Sequence, residues 1–157
     1  MTATPQQLYA VLVALQADTL LLPNLAVAEV AAPEGLRPLT GSPPWFAGLL
    51  NWQGQELPIA RFELLNNGAA EPPSRRTRIA VINCVSTRLV TGRYGILAEG
   101  YPHLVTLNRA ALRSAEGRPQ DSELVMTRVR VASQEALIPN LERIEAEMAG
   151  VLASFSG

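Results

Sequence analysis

The residues of this chain that could work at a reactive centre are few. They are one cysteine, Cys84, one histidine, His103, two aspartates, Asp18 and Asp121, and the closely spaced Glu142, Glu145 and Glu147. A cysteine nucleophile with a histidine base is a known pairing, and its members meet in space rather than in sequence. Here Cys84 lies in the apolar run "IAVINCVS", where a free thiol behaves as a small hydrophobe. His103 follows Pro102 in a strand-like run and reads as a surface or half-buried side chain. One His, one Cys and two Asp cannot build the usual ligand clusters, so no metal is expected. At helical spacing the three glutamates read as a solvated face rather than a general acid and base. Neither G-x-G-x-x-G nor G-x-x-x-x-G-K-[ST] occurs, so no phosphate-cradling loop is present. The expectation is a protein without catalytic residues or cofactors, a binding or scaffolding module and not an enzyme.

Nucleic acid is a poor partner for this composition. The net charge is -1 and aromatic residues are 5%, whereas a strand-binding surface needs a basic excess and stacking platforms. Arg75, Arg76 and Arg78 beside Pro72 and Pro73 read as a solvated loop. Every cation is arginine, with no lysine; together with the abundant alanine this reads as genomic base bias. The 157 residues, 48% hydrophobic and 17% charged, suit one ordinary domain or two small lobes with a shared core. A single cysteine leaves no intrachain disulfide. The apolar stretch "LYAVLVALQADTLLLPNLAV" has no cation before Arg37 and is broken by Gln16, Asp18 and Pro23. Neither a signal peptide nor a spanning helix is expected, and the location expected is cytoplasmic.

The elements that would position a site are short apolar runs between turn residues. The expected strands are Leu8–Leu15, Thr19–Leu22, Val27–Ala31, Phe46–Trp52, Glu56–Arg61, Arg78–Val85, Tyr94–Ala98, His103–Leu107, Leu124–Val131 and Ala136–Ile138. Clean alternation is local, clearest in "TRVRV", where Thr127, Val129 and Val131 share one face and Arg128 and Arg130 the other. Many short strands point to an all-β barrel or sandwich. Single helical turns are expected at Asn24–Ala26 and Phe62–Leu65. A C-terminal helix is expected over 141–152, since Leu141, Ile144, Met148 and Val151 recur at helical spacing behind Asn140 as N-cap. "APEGLRPLTGSPP" and "NNGAAEPPSRRTR" are loops, and "RSAEGRPQDSE" is expected to be exposed.

One stretch, "FAGLLNWQGQELPIARF", carries more information. Gly54 suits a turn residue with positive φ, and Asn51 can tie that turn to backbone. Gly48 admits a close backbone approach, and Pro58, lacking a donor, places its strand at an edge or a bulge. Trp52 is expected in the core, while Trp45, after Pro43 and Pro44, fits core or surface.

The wider stretch "PPWFAGLLNWQGQELPIARFELL" resembles the signature of CheW-like coupling proteins of bacterial chemosensory systems, in which Gly-x-x-Asn-x-Arg-Gly is followed by Pro-Val-x-Asp-Leu. Gly48, Asn51, Gly54, Pro58 and Ile59 stand at the matching places. "TLLLPNLAVAEV" is similar through Val27, Glu29 and Val30, "RYGILAEGYPHLVTL" through Gly95, Ile96, Leu97 and Glu99, and "ALIPNLERI" through Leu141, Glu142 and Ile144. The resemblance covers Leu8 to Met148 in order. It implies an all-β fold of two small five-stranded SH3-like barrel lobes around a shared apolar seam, in a single domain over 1–157. One lobe would be approximately 25–85 and the other approximately 8–24 with 86–140. It implies a non-enzymatic adaptor, without cofactor, that couples the cytoplasmic tip of a methyl-accepting chemoreceptor to the regulatory domain of a CheA-type histidine kinase. Partner-binding residues would be Val27, Glu29, Gly48, Asn51, Gln53, Gly54 and Arg61.

Gln53 stands where the family has arginine, Arg61 where it has aspartate, and Glu99 where it has a later aspartate. Charge at an interface rim sets partner choice, so these departures imply a member tuned to a particular kinase or receptor, of the type IV pilus (ChpC- or PilI-like) kind. Two other readings remain open: a β-barrel binding a small ligand or single-stranded nucleic acid through Trp45, Trp52 and the Arg75 loop, and a cysteine-dependent enzyme using Cys84.

Overall fold

The computed structural model describes residues 7–108, 112–119, 121–131 and 133–155; the other positions of the expected 1–157 domain lie outside the described residues. Strands run in the order β1 (Gln7–Ala14), β2 (Thr19–Pro23), β3 (Val27–Ala31), β4 (Phe46–Trp52) and β5 (Gln55–Ala60). After α1 (Phe62–Leu65) come β6 (Thr77–Asn83), β7 (Arg93–Glu99), β8 (His103–Asn108), β9 (Leu112–Ser114), β10 (Val125–Val131), β11 (Gln134–Pro139) and α2 (Leu141–Phe155). Asn24–Ala26 is one 3₁₀ turn between β2 and β3.

These elements form two sheets, β8-β1-β2-β11-β10-β9 and β3-β6-β7-β5-β4. The runs that failed to alternate between apolar and polar do so because both faces of the strand are buried. In β6, Ile79 and Val81 enter the core of the five-stranded sheet, while Ala80 and Ile82 enter a larger shared core. In β1, Ala10 and Leu12 enter the core of the six-stranded sheet, while Val11 and Val13 face the shared one. That seam is completed by Ile144 and Met148 of α2, both wholly buried. A period of two thus sends each strand's side chains to two different cores.

Three expectations are corrected in detail. The larger sheet has six strands, not five, because the short β9 adds beside β10. β7 pairs with β6 and β5 in the smaller sheet, so the division expected near residue 86 falls after Glu99; β7 pairs with β6 along its whole length, from Thr77–Glu99 to Asn83–Arg93, and the chain crosses to the other sheet only between β7 and β8. β5 is not an edge strand. Arg37 and Leu49 exchange backbone hydrogen bonds at 2.9 Å, so the polar groups of Leu49 face away from β5. Its opposite residue, Pro58, therefore needs no donor toward β4. On the other side, pairing with β7 begins only at Ile59.

The C-terminal helix begins as expected, with the Arg143 N–H donating to Asn140 Oδ1 at 3.1 Å. It continues to Phe155, past Gly150.

Candidate functional site

The β4–β5 hairpin ends in two left-handed residues, Gln53 with φ 50° and Gly54 with φ 80°. Positive φ at both central positions matches the right-handed twist of the flanking strands, which is why two-residue hairpins adopt it. Gly54 has the role its position suggested; Gln53 bears the cost of left-handed backbone on a side-chain-bearing residue. Asn51, Gln53 and Gly54 are all exposed. The Asn51 side chain makes no hydrogen bond among the described residues, so backbone conformation holds the turn.

Gly48 is buried, with φ 143°, and a Cβ there would lie 2.3 Å from the Arg37 carbonyl oxygen. The close approach expected at this glycine is the Arg37–Leu49 bridge, which seals the rim of the sheet. Gly48 therefore shapes the hairpin from inside.

Val27 and Glu29 occupy a different place. β3 is one edge of the five-stranded sheet and β8 one edge of the six-stranded sheet. A groove of about 340 Å³ is lined by Val27, Glu29 and Val30 from β3 and by Tyr101, Pro102 and Leu104 from the β7–β8 connection and β8. Glu29 is exposed, Val27 is half-buried against the shared core, and Tyr101 and Leu104 are 62% and 66% exposed. The Arg78 guanidinium stands 5.5 Å from the centre of the Tyr101 ring. Tyr101 and Leu104 were missed in the sequence; an aromatic between Gly100 and Pro102 was the available signal.

Arg61 belongs to neither place. It lies between β5 and α1, its N–H donates to the Trp45 carbonyl at 2.7 Å, and its guanidinium donates to the Glu71 carbonyl. Its Nε and Glu63 Oε1 are buried without protein partners. Both residues line a cavity of about 10 Å³ with Gln16, Thr77 and Glu99, roughly the room one water requires. Gln16 spans this joint: its N–H reaches Glu63 Oε2 at 3.3 Å, and its side chain reaches Glu71 and Glu99.

The residues first considered for chemistry are occupied otherwise. Burial and the Glu145 carboxylate push the Cys84 thiol up to about 12, with Arg93 partly offsetting them; such a thiol is protonated at neutral pH and inert. His103 is exposed on β8. Glu142 is exposed and Glu147 pairs with Arg143 at 3.0 Å, but Glu145 is wholly buried. Glu145 departs from the solvated face because its helix position points at the loop after β6. There the Val85 and Ser86 N–H groups donate to it at 2.8 and 2.9 Å, joined by the Ser86 hydroxyl.

The stretch expected to be exposed, 113–123, carries a second buried polar cluster. Arg128, with 1% of its side chain exposed, donates to both oxygens of Asp121 at 2.6 and 2.7 Å and to Asp18 at 3.1 Å. Those hydrogen bonds, Arg128 first, hold the Asp121 carboxyl well below the usual carboxylate range. Asn66, just after α1, receives the Ser122 N–H at 3.0 Å. This cluster joins the lobes.

The tryptophans of the barrel-ligand reading serve packing. Trp45 lies edge-on to Phe46 with ring centres 5.8 Å apart, and Trp52 packs on the smaller core under the Arg93 guanidinium, 5.3 Å from its ring. Arg78 donates to the carbonyls of Arg75 and Thr77 and so braces its own loop.

No helix among the described residues is long and apolar enough to cross a membrane. The fold is similar to that of the scaffolding protein TtCheW from Thermoanaerobacter tengcongensis, with a TM-score of 0.72 and 14% identity over 87% of this chain and 90% of that one. No curated protein sequence matches. The CheW-like domain matches residues 10–147. Spanning both sheets and the start of α2, that match shows that the chain belongs to the CheW-like domain family, whose members are scaffolding adaptors and not enzymes.

Proposed function

We propose that this chain couples the cytoplasmic tip of a methyl-accepting chemoreceptor to the regulatory domain of a CheA-type histidine kinase, in the cytoplasm. The observation that carries this is the groove between β3 and β8. Two sheet edges, each with an open row of backbone donors and acceptors, flank a half-apolar trough bearing Glu29, a geometry that accepts a helix or strand of a protein partner. The exposed hairpin tip, Asn51, Gln53 and Gly54, is a second contact. Gln53 lacks the charge found in the family's signature, which directs the chain to a dedicated partner of the type IV pilus kind. Arg61, engaged with Glu71, acts by holding the loop beside the joint.

Calorimetric titration against the regulatory domain of each chemosensory kinase of the same cell tests the proposal. Gly48→Arg is a poor control, because the new side chain would strike the Arg37 backbone. Glu29→Arg and Gln53→Glu alter exposed residues instead. Micromolar binding to one kinase, weakened by either variant at unchanged melting temperature, is the expected result. Binding that ignores both variants would remove these residues from the interface, and no binding to any kinase or receptor tip would remove the coupling role.

A further inference from the structure

The face of the six-stranded sheet that carries Arg128 also bears, at its β9 end, a pair of arginines that the groove and hairpin do not use. Arg113 of β9 and Arg130 of β10 are directly opposite each other in the antiparallel register, so both side chains leave the same face. Both are exposed. Like charges directly opposite across a pair of strands are destabilising, and among the described residues neither guanidinium forms an ion pair that would offset it. The neighbouring acids Asp18, Asp121 and Glu135 are taken by Arg118 and Arg128. Glu135 faces Arg130 from the other flank in register but makes its ion pairs with those two arginines. Exposed Glu116 makes no ion pair with either. None of the positions outside the described residues is Asp or Glu, and among the described residues no acidic side chain forms an ion pair with Arg113 or Arg130.

β9 is also an edge. It pairs with β10 alone, and among the described residues no strand covers its other side. We propose that Arg113 and Arg130 dock the carboxylates of an extended acidic segment of a partner protein, laid along the free edge of β9. An extended segment satisfies the open backbone groups of the edge while alternate side chains present carboxylates to one face. Guanidinium forks bind carboxylates in bidentate fashion, and two of them side by side accept one carboxylate between them or two in a row. This site lies on the other lobe from the hairpin and does not depend on the coupling role proposed above.

The test follows the arginine side-chain N–H and backbone amide resonances of the full chain during titration with the peptide acetyl-Glu-Val-Glu-Val-Glu-amide, at low and high salt. Its glutamine counterpart and inorganic phosphate serve as comparisons. The expected result is a shift of Arg113 and Arg130 together with the Leu112–Ser114 amides. It should weaken with salt, be absent with the glutamine peptide and be abolished in the R113Q/R130Q double variant. Shifts spread evenly over Arg75, Arg76 and Arg88 would overturn the proposal. So would equal arginine shifts from phosphate with the β9 amides unmoved, since that would mark a simple anion site. Independently, Arg113→Thr should raise the melting temperature by relieving the repulsion; an unchanged or lower one would remove the premise.

Discussion

Two polar joints tie the six-stranded sheet to the short segment around α1, and they are completed to different degrees. At one, Arg128 closes on Asp121 and Asp18 while Asn66 receives Ser122, so each strong donor of the cluster meets a carboxylate. At the other, Gln16 reaches Glu63, Glu71 and Glu99, yet Glu63 Oε1 and Arg61 Nε face a small cavity without protein partners. The difference teaches where rigidity sits. An unpaired buried charge is costly, and the wholly buried Arg128 is offset by two carboxylates held in place around it. At the second joint the Gln16 amide bridges the surrounding groups, and the unpaired Glu63 oxygen and Arg61 Nε face a space that one water can complete.

The comparison breaks most readily at Arg128. Arg128→Met should cost about 3–5 kcal/mol, because it leaves Asp121 and Asp18 without their shared partner; chemical denaturation measures it, and a cost no larger than that of an average surface change would show that the cluster is decorative.

Acid should act on the same joint with a defined sign. The folded-state carboxyl of Asp121 titrates below its ordinary range, so its contribution is complete above about pH 4 and is lost as pH falls through the folded value. The gap in melting temperature between the parent and Asp121→Asn should therefore be constant near neutrality and close below about pH 4. A gap that widened on acidification would contradict the assignment.

The smallest effect belongs to the second joint. Glu63→Gln should change stability by about 1 kcal/mol or less, since only one weak bond at 3.3 Å engages its carboxylate. A high-resolution crystal structure should place a water between Glu63 and Arg61. A direct Arg61–Glu63 contact there would make the two joints alike.

Much of the fold was legible because its signals are local. Gly, Pro and Asn punctuate the strands, and Asn140 with its helical-period residues fixed the start of α2. The hairpin at Gln53-Gly54 was legible for the same reason: left-handed backbone is a local requirement. Glu145 was not legible. Its spacing from Glu142 and Glu147 is that of a solvated face, and only the position of the loop after β6 turns it inward. Of the edge or bulge inferred from Pro58, the β4–β5 pair has the bulge, between Phe46 and Gly48, and not the edge, since whether a missing donor matters depends on which neighbour the strand turns it toward.

By itself the sequence determined the element order apart from β9, the all-β class, the signature at Gly48, Asn51 and Gly54, and the resemblance that the CheW-like match then established. Backbone conformation, capping and side-chain periodicity are decided within a few residues, and so they can be read along the chain. Only the tertiary structure decided that Val27 and Glu29 share a groove with Tyr101 and Leu104, that Arg61 serves a joint, and that Arg113 faces Arg130. These are contacts between strands far apart in sequence, set by register and sheet order, and a single sequence carries no record of which strand lies beside which.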